Sequence, residues 1–493
     1  MTTTFQSTDS IGAGQRFSFA DAGDTLVVLS GVTMASTDSR AIASSFSNSS
    51  LRLDGSVYSP DSPAIDFGAG SSQITIGENG IVASHTGFTG AAVRMDAADN
   101  VLSSAGEISN PGGIGVLLAG DDCQAMNSGS IVASTGLIVG FTGSGSSLYN
   151  TGLIFANDDD NIGNDPNVTQ MSHGVHVEGN ETAITNAAGG EIIASGWGKA
   201  GVHVGLGIAS TGNWSVVLNH GLISSLQGYG VDFSDMLAAE AASLTNHGTI
   251  SGAMASFIGN VSGETIVNTG LMDGAVLTND GDDRFENTGT VQGDVDLGDG
   301  ADTYRGLGES FVFGDVLGGA GKDRLYGGEN IDKLFGNADA DRIRGRQGDD
   351  DLIGGTGEDD IRGQLGNDVI EGNQDNDRLG GGQGNDIIKG GSGLDTITGG
   401  MGEDTLTGGM GADVFVFNRR SGDDEITDFN NNTDKLDLSK FALSSRQDLT
   451  DAGAIIENGA GSIIDLTAVG GDGVIYVEDM SVAQWSNADF IFA

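Results

Sequence analysis

The chain of 493 residues is poor in cysteine, proline, aromatic side chains and positive charge. Its single cysteine excludes an internal disulfide framework, and Cys123 is expected to be buried as a small hydrophobe. Lys and Arg number 21 against 69 Asp and Glu, which gives a formal net charge of −48. Nucleic acids and anionic membranes are bound through Lys and Arg, so this balance argues against both partners. No apolar run reaches the ~18 residues of a membrane span, and no span is predicted.

The N-terminal sequence MTTTFQSTDSIGAGQRFSFA lacks a basic segment followed by an apolar one, so an N-terminal signal peptide is not predicted. Glycine, in contrast, is abundant, with 84 residues against four prolines. This balance is typical neither of collagen nor of a linker. It indicates turns that recur along the chain.

Eleven nine-residue blocks follow one another without insertion from Gly318 to Val416. Each block has Asp at its sixth position and Leu, Ile or Phe at its eighth, from Leu325 to Phe415. The aspartates of this row are Asp323, Asp332, Asp341, Asp350, Asp359, Asp368, Asp377, Asp386, Asp395, Asp404 and Asp413. Glycines permit positive φ in a tight loop, Asp adds a carboxylate, and the last three residues form a short strand. Each block is therefore predicted to be a loop followed by a strand.

Read as G-G-x-G-x-D-x-U-x, these blocks resemble the calcium-binding nonapeptide of the RTX (repeats-in-toxin) family. Clear copies are GGTGEDDIR at 354 and GGQGNDIIK at 381. The resemblance implies a parallel β-roll that binds Ca²⁺ between stacked loops, with two blocks in each turn and the eleven aspartates as metal ligands. Alternate aspartates would then stack on opposite edges, with at most about nine calcium sites.

Several blocks have another residue where a loop glycine is expected, and these positions require left-handed backbone. They are Asn330, Asn337, Asp339, Arg346, Gln364, Asn373 and Asp375. The stretch from 381 to 413 keeps the pattern best and is expected to bind calcium most readily. Without calcium the stacked carboxylates would repel one another by roughly 3 kcal/mol per pair, so metal binding is expected to drive folding.

The C-terminal stretch, with SGDDEITDF from Ser421 and DKLDLSKF from Asp434, resembles the end of serralysin-type RTX proteins. That resemblance implies export by the type I secretion machinery, with the terminal Asp489-Phe490-Ile491-Phe492 as the signal. A structural alternative is that residues 418–493 form antiparallel strands that cap the open end of the roll. We expect both roles.

A looser repeat, N-x-G-x-aliphatic, precedes the roll, as in Asn127-Gly129-Ile131 and Asn246-Gly248-Ile250. A second strand of form G-V-x-V recurs between its copies, so two strands per coil are predicted, with the asparagines in an internal hydrogen-bonded ladder. The pattern is similar to the β-helices of bacterial surface and secreted proteins. The predicted fold is all-β, a parallel β-helix solenoid continuing into a calcium-binding parallel β-roll with an antiparallel C-terminal cap. Its predicted domains are an N-terminal capping region (1–55), the β-helix (56–300), the roll (301–417) and the cap with the secretion signal (418–493).

Neither H-E-x-x-H nor G-x-S-x-G occurs, which excludes those zinc protease and serine hydrolase motifs. The candidate catalytic residues are His176, His203 and Asp232, which hold the same place in successive G-V-x-V strands and are predicted to form a column in solvent. An acidic insertion from Phe155 to His173, with Glu178, Trp197 and Lys199, lies near them in the sequence pattern. The alternative interpretation is a solvated sheet with a decorated loop.

These patterns predict a secreted, extracellular calcium-binding repeat protein with a surface, adhesive or structural role, which folds on calcium after type I export. Expected partners are calcium and the secretion machinery, with a cell-surface polysaccharide, a matrix or other copies of the chain as binding targets. The alternative is a polysaccharide-active β-helix enzyme, either a uronate lyase or a C5-epimerase. A pore-forming toxin is disfavoured, because no long apolar or amphipathic helix precedes the repeats.

Overall fold

The computed structural model describes residues 2–12, 17–85, 90–139, 145–156, 173–177, 182–195, 202–204, 214–226, 228–234, 241–459 and 461–493. Strands dominate the described chain, and the single α-helix is Arg446–Asp451. No helix in these segments combines the length and apolar character needed to cross a bilayer. Close contacts divide the chain into two units, of which the first is residues 1–279 with 291–293 and the second is 280–290 with 294–493.

The first unit is a parallel solenoid whose described coils contribute three strands each. The first column consists of Thr3–Gln6, Thr25–Val28, Ser50–Leu53, Gln73–Ile76, Val101–Ser104, Gln124–Asn127, Ser147–Asn150, Ala183–Asn186, Trp214–Asn219, Ala241–Asn246 and Thr265–Asn268. The second consists of Ser10–Gly12, Thr33–Ser36, Ser56–Ser59, Ile81–Ser84, the start of Glu107–Leu118, the start of Ser130–Val139, Leu153–Ala156, Glu191–Ala194, Leu222–Ser225, Thr249–Gly252 and Leu271–Asp273. The third consists of Phe17–Ser18, Ile42–Ser44, Ile65–Phe67, Ala91–Met95, the ends of the two long strands, Val175–Val177, Val202–Val204, Tyr229–Asp232, Ala255–Ile258 and Val276–Leu277.

Sequence analysis predicted two strands per coil, and this prediction was wrong. The missing column is the strand that ends at the repeat asparagine, for example Ser147–Asn150. Parallel pairing already begins at Thr3–Gln6, which pairs with Thr25–Val28. The predicted capping segment 1–55 is thus itself built from paired coils.

The predicted asparagine ladder is confirmed in the core of the first unit. Each amide Nδ2 donates to the Oδ1 of the asparagine one coil further along, at 2.8 to 2.9 Å. The ladder runs through Asn127, Asn150, Asn186, Asn219, Asn246 and Asn268. These amides are buried, and the hydrogen bonds between coils satisfy groups that would otherwise destabilise the core. Cys123 is fully buried, as predicted.

The second unit contains the predicted parallel roll. Its two sheets face each other, and the inward side chains of their strands are buried between them. One sheet contains Arg284–Asn287, Thr303–Gly306, Arg324–Tyr326, Arg342–Gln347, Asp360–Leu365, Arg378–Gln383, Thr396–Met401, Val414–Val416, Lys435–Asp437 and Phe490–Ile491. The other contains Thr290–Val291, Val295–Asp296, Phe311–Val312, Val316–Ala320, Lys333–Ala338, Asp351–Thr356, Val369–Gln374, Ile387–Gly393, Thr405–Gly411 and Asp424–Ile426. Within the blocks each strand pairs with the one eighteen residues further on, as in Arg342 with Asp360. Two blocks therefore make one turn, as predicted.

The C-terminal region closes the roll with mixed strands. Val474–Val477 pairs in parallel with Asp424–Ile426, and Gly461–Asp465 and Ile455–Asn458 add antiparallel strands beyond it. Short 3₁₀ helices lie at Leu466–Val469 and Asn487–Asp489. The predicted antiparallel cap is confirmed.

Candidate metal centre

The aspartates of the nonapeptide row form two hydrogen-bonded ladders, one along each edge of the roll. In each step a backbone N–H of one Asp donates to the Oδ1 of the Asp in the next coil, at 2.6 to 3.1 Å. The first ladder contains Asp283, Asp302, Asp323, Asp341, Asp359, Asp377, Asp395, Asp413 and Asp434. The second contains Asp332, Asp350, Asp368, Asp386, Asp404 and Asp424. The alternation predicted from the nine-residue period is confirmed.

The second carboxylate oxygen of most of these residues is buried without a hydrogen-bond partner. These Oδ2 atoms belong to Asp302, Asp323, Asp341, Asp350, Asp359, Asp368, Asp377, Asp386, Asp395, Asp404, Asp413 and Asp424. A buried polar atom without a partner is costly, and a charged one more so. A row of such oxygens, all at the loop edge of the roll, is what a set of cation sites requires.

The first glycine of every block leaves room for this oxygen. A Cβ built on Gly354 would lie 2.2 Å from Asp359 Oδ2, and a Cβ on Gly381 would lie 2.0 Å from Asp386 Oδ2. All eleven blocks place a carboxylate oxygen this close to the first glycine, which explains why none of them begins with another residue. The glycine is therefore part of the candidate site.

Burial raises the pKa of the ladder carboxyls, and neighbouring carboxylates raise it further. The pKa of Asp341 is raised to about 8 by burial and by the charges of Asp323 and Asp359. Burial likewise raises the pKa of Asp350 to about 8 and the pKa of Asp359 to about 6. Ionisation of these carboxyls in the folded chain is therefore unfavourable, and a bound cation would make it favourable.

The loops between ladder and strand adopt the left-handed backbone that the sequence pattern requires. Six of the seven non-glycine loop residues have φ between 72° and 87°: Asn337, Asp339, Arg346, Gln364, Asn373 and Asp375. The seventh, Asn330, has no positive φ, contrary to the prediction, and its Nδ2 donates to the Ser310 carbonyl. In the same loop the Gly328 N–H donates to Asp332 Oδ2 at 2.6 Å. Asp332 therefore differs from the other predicted ligands, because its second oxygen is already bonded.

The ladders fit a hard cation such as Ca²⁺ rather than a histidine or cysteine metal. Among the described residues, no cluster of three or more His, Cys, Asp or Glu side chains is arranged to hold a metal ion. The ladders present buried Asp Oδ2 atoms, and the glycine-rich loops beside them present backbone carbonyls. A cation bound there would have the all-oxygen ligands that calcium prefers. The number of ions, about nine at most by sequence, stays a prediction.

Four ladder members lie outside the eleven blocks and were missed by the sequence analysis. Asp283 and Asp302 precede the blocks, while Asp424 and Asp434 follow them. The spacing between each of these aspartates and its neighbour in the ladder is not eighteen residues, so the nine-residue period does not predict them. The signal was present in NDGDDRF and LGDGADTYRG, which already carry the D-G-x-D-x-aromatic pattern.

The candidate catalytic residues fall in register on the third column of the first unit. His176 pairs with His203, and His203 pairs with Asp232. Asp232 is buried, and its Oδ1 accepts hydrogen bonds from the Ser234 N–H and hydroxyl, so the prediction that it faces solvent was wrong. The ring of His176, half-buried, stacks on the buried His173 with centroids 5.2 Å apart. Residues 157–172, Glu178, Trp197, Lys199 and the side chain of His203 lie outside what the structure describes.

Comparison with protein families identifies the repeats of the roll. The family model of the RTX calcium-binding nonapeptide repeat matches in four copies, at residues 317–352, 345–379, 353–388 and 380–415. Among solved structures, the solution structure of the R3 subunit of the Azotobacter vinelandii mannuronan C5-epimerase is 25% identical. That match covers 29% of this chain and 80% of the subunit, with a TM-score of 0.21. No curated protein matches the chain. Residues 317–415 therefore match the RTX calcium-binding nonapeptide repeat.

Proposed function

We propose that this protein is a secreted, extracellular calcium-binding solenoid with an adhesive or structural role, whose roll folds when it binds Ca²⁺ after type I export. The observation that carries the proposal is the row of twelve buried Asp Oδ2 atoms without partners. Their mutual repulsion opposes folding in the absence of a cation, at roughly 3 kcal/mol for two charges 5 Å apart at an effective dielectric of 20. Bound calcium would supply the opposing positive charge, so binding and folding are coupled.

The C-terminal segment supports folding after export rather than before it. Phe490–Ile491 pairs with Leu436–Asp437 as a parallel strand, and both Asp489 and Phe490 are buried. A secretion machinery that reads this terminus would need it unfolded. Low cytoplasmic calcium would keep the roll and its cap open until the chain reaches the calcium-rich exterior.

The test is a far-UV circular dichroism titration of the whole chain, from chelator to about 10 mM Ca²⁺, with Mg²⁺ as the control. We expect a cooperative gain of β signal in the 10⁻⁴ to 10⁻³ M range typical of extracellular calcium modules, and little response to Mg²⁺. A chain that has its full β signal in chelator, or that responds equally to both cations, contradicts the proposal.

A second candidate function is a polysaccharide lyase or epimerase using His176, His203 and Asp232. The register that aligns these residues in three successive coils favours it. The variant His176→Ala tests it on uronate polymers such as alginate and pectin, because loss of turnover with an unchanged circular dichroism spectrum supports an enzyme. Absence of any turnover by the unsubstituted chain rejects this function.

A further inference from the structure

One outer face of the roll is rich in arginine although the chain as a whole is strongly acidic. We call it the arginine face and define it as the outward side chains of strands Thr303–Gly306, Arg324–Tyr326, Arg342–Gln347, Asp360–Leu365 and Arg378–Gln383. Its cations are Arg305, Arg324, Arg342, Arg344, Arg362 and Arg378. Six of the 21 basic residues of the chain therefore belong to this face. A seventh, Arg346, lies in the same strands, but its guanidinium donates to the Gly306 and Gly327 carbonyls.

The opposite sheet of the same coils has no such excess. Its outward positions carry Lys333 and Lys389 together with Asp351 and Glu371. Lys389 Nζ pairs with Glu371 at 2.7 Å. The charge is balanced there, so the arginine excess belongs to one face and not to the roll in general.

Strand register arranges the arginines in two rows along the stacking direction. Arg324, Arg342, Asp360 and Arg378 follow one another in the first row. Tyr326, Arg344, Arg362 and Gly380 follow one another in the second row. Paired positions in neighbouring strands are about 4.8 Å apart. Arg324 and Arg342 in the first row, and Arg344 and Arg362 in the second, are thus one strand spacing apart, which is comparable with the length of one sugar residue. Asp360 separates Arg342 from Arg378 in the first row.

Only one carboxylate, Asp360, neutralises this face. It pairs with Arg344 at 2.5 Å, with Arg362 at 3.5 Å and with Arg342 at 3.7 Å. Arg324 and Arg378 are exposed and have no acidic partner among the residues that the structure describes. Both guanidinium groups are free to bind an anion in the bidentate manner that suits carboxylate and sulfate.

A shallow depression of about 310 Å³ lies between two of these arginines. Arg362, Arg378, Gln364, Thr398 and Gly380 are among the residues that line it. A Cβ on Gly380 would have no atom nearer than 3.9 Å, so the space above it is open. Amide, hydroxyl and backbone groups beside two cations suit a ligand that carries both hydroxyls and an anionic group.

The only aromatic ring of the face is not available for stacking on a base. Arg305 and Arg346 each lie 5.7 Å from the centre of the Tyr326 ring. Single-stranded nucleic acid is usually bound by aromatic stacking combined with positive charge, and the stacking component is missing here. The chemistry of the face therefore favours an anionic sugar polymer.

We infer that the arginine face binds an extended anionic polysaccharide that runs along the stacking direction, with guanidinium groups holding its carboxylate or sulfate groups. The inference rests on the proposed function, because the face is assembled only when calcium has folded the roll. Calcium also neutralises the two aspartate ladders, which otherwise would repel a polyanion.

The experiment measures fluorescence anisotropy of labelled oligosaccharides with the full chain in 5 mM Ca²⁺. The three probes are an oligouronate too short to gel with calcium, a sulfated oligosaccharide and a neutral oligosaccharide of equal length. We expect the anionic probes to bind, with affinity that falls as salt rises, and the neutral probe not to bind. The anionic probe that binds more tightly shows whether the face prefers carboxylate or sulfate groups.

Two matched double variants locate the site. R324T/R378T removes two charges from the arginine face, and Thr already occupies the same row at Thr303 and Thr396. K333T/K389T removes two charges from the opposite sheet, where Thr405 and Thr407 occupy the same rows. We expect about tenfold weaker binding for the first variant, because two exposed charge pairs are lost, and less than about twofold for the second.

Each variant is first titrated with calcium by circular dichroism, and R324K/R378K replaces the threonine variant if that one does not fold. The lysine variant keeps the charge but loses bidentate geometry, so binding weakened by at least twofold supports the inference and unchanged binding opposes it. Equal losses in the arginine-face and control variants would also overturn the inference. Three results with a chain that responds to calcium would likewise overturn the inference. These are no binding of either anionic probe, equally strong binding of a DNA duplex, and use of this face only for self-association. A chain that ignores calcium would instead overturn the proposed function.

Discussion

At the residue scale, two adjacent glycines of the roll have different roles. A Cβ on Gly381 would lie 2.0 Å from Asp386 Oδ2, whereas the nearest atoms to a Cβ on Gly380 would be 3.9 Å away. The first glycine of a block therefore allows a carboxylate oxygen to approach the backbone. The preceding glycine lies at an open surface where a side chain would meet no close neighbour.

The variant Gly381→Ala is expected to weaken calcium-dependent folding, because its methyl group must displace the Asp386 carboxylate. Overpacking of this kind costs about 1 to 3 kcal/mol. Shared among about nine ions that bind with folding, this cost would raise the calcium concentration at the folding midpoint by up to about twofold. Circular dichroism titrations of Gly381→Ala and of the control Gly380→Ala measure the difference. Equal midpoints for the two variants would contradict this role of the first glycine.

The raised pKa values of the ladder carboxyls predict opposite effects of pH with and without calcium. The pKa of Asp341 and of Asp377 is raised to about 8 in the folded chain by burial and neighbouring carboxylates, and unfolded Asp titrates near 4. The folded, calcium-free roll then binds more protons than the unfolded chain between these values. Its stability should increase as pH falls from about 8 towards about 4 and decrease as pH rises.

Calcium requires ionised carboxylates, so its apparent affinity should fall over the same range of acidification. We expect more β signal at pH 5 than at pH 8 in calcium-depleted buffer, and a higher calcium midpoint at pH 5. Circular dichroism at the two pH values measures both quantities. A calcium-free signal that decreases on acidification would contradict the burial of ionisable ladders.

Nearly all the metal-ligand candidates could be predicted from the sequence, because an uninterrupted nine-residue period fixes which side chains share an edge. The exceptions have physical causes. Asp302, Asp424 and Asp434 join the ladders across spacings of 20 or 21 residues, so a count of nines does not find them. Asp332 was predicted as an equivalent ligand, but the Gly328 N–H occupies its second oxygen.

At the scale of elements, the asparagine ladder is the main polar feature of the first unit's core. Asn219 accepts from Asn186 and donates to Asn246, each at 2.9 Å. Removal of this amide leaves the Asn186 amide and the Asn246 carbonyl without these partners. An interior member of the ladder should therefore contribute more to stability than an outward-facing residue of the same sheet.

The variant Asn219→Ala is expected to lower the free energy of unfolding of the first unit by about 2 to 4 kcal/mol, because the buried hydrogen bonds of this amide to both neighbouring asparagines are lost. The control is Thr245→Ala, which changes a half-exposed side chain beside Asn246. Urea unfolding in chelator measures both, because the roll then contributes least to the signal. A loss no larger than that of the control would contradict the ladder's role.

The cap is the second element whose packing predicts a measurable effect. Trp485 lies between Phe429 and Phe490, with ring centroids 5.1 and 5.0 Å away, and its Nε1 donates to the Ser462 hydroxyl. Phe429 in turn packs against Phe415, the last aliphatic or aromatic residue of the block row. The aromatic cluster thus links the cap to the end of the roll.

Truncation of a buried tryptophan costs about 3 to 5 kcal/mol. If about nine ions bind together with folding, this cost is shared among them, so Trp485→Ala should raise the calcium midpoint of folding about twofold. Trp485→Phe keeps the ring contacts and loses the hydrogen bond, and we expect a smaller shift. Calcium titrations followed by circular dichroism give both midpoints. An unchanged midpoint in Trp485→Ala would mean that the cap folds independently of the roll.

The third strand column of the first unit was not predicted from sequence, and the reason is local. The strand that ends at the asparagine, such as Ser147–Asn150, has only four residues and no glycine signature of its own. The asparagine lies at the end of this strand and is buried, and a single polar residue gives no strand signal in the sequence. The register of His176, His203 and Asp232 was nonetheless predicted correctly, because G-V-x-V repeats fix it.

At the scale of the whole molecule, two units with different chemistry share one chain. The first unit is held by buried aliphatic side chains and by amide hydrogen bonds that need no metal. The second unit contains the aspartate ladders, whose buried Oδ2 atoms lack hydrogen-bond partners. In the proposed function, the charges of these carboxylates oppose folding until a cation binds. The chain should therefore respond to calcium in one part and not in the other.

Hydrogen exchange of the full chain, read by mass spectrometry with and without calcium, tests this claim most directly. We predict that peptides from 318–416 exchange at nearly the rate of an unfolded chain in chelator and become protected in calcium. Peptides from 42–76 should be protected equally in both conditions. Equal protection of the roll peptides with and without calcium would contradict the account.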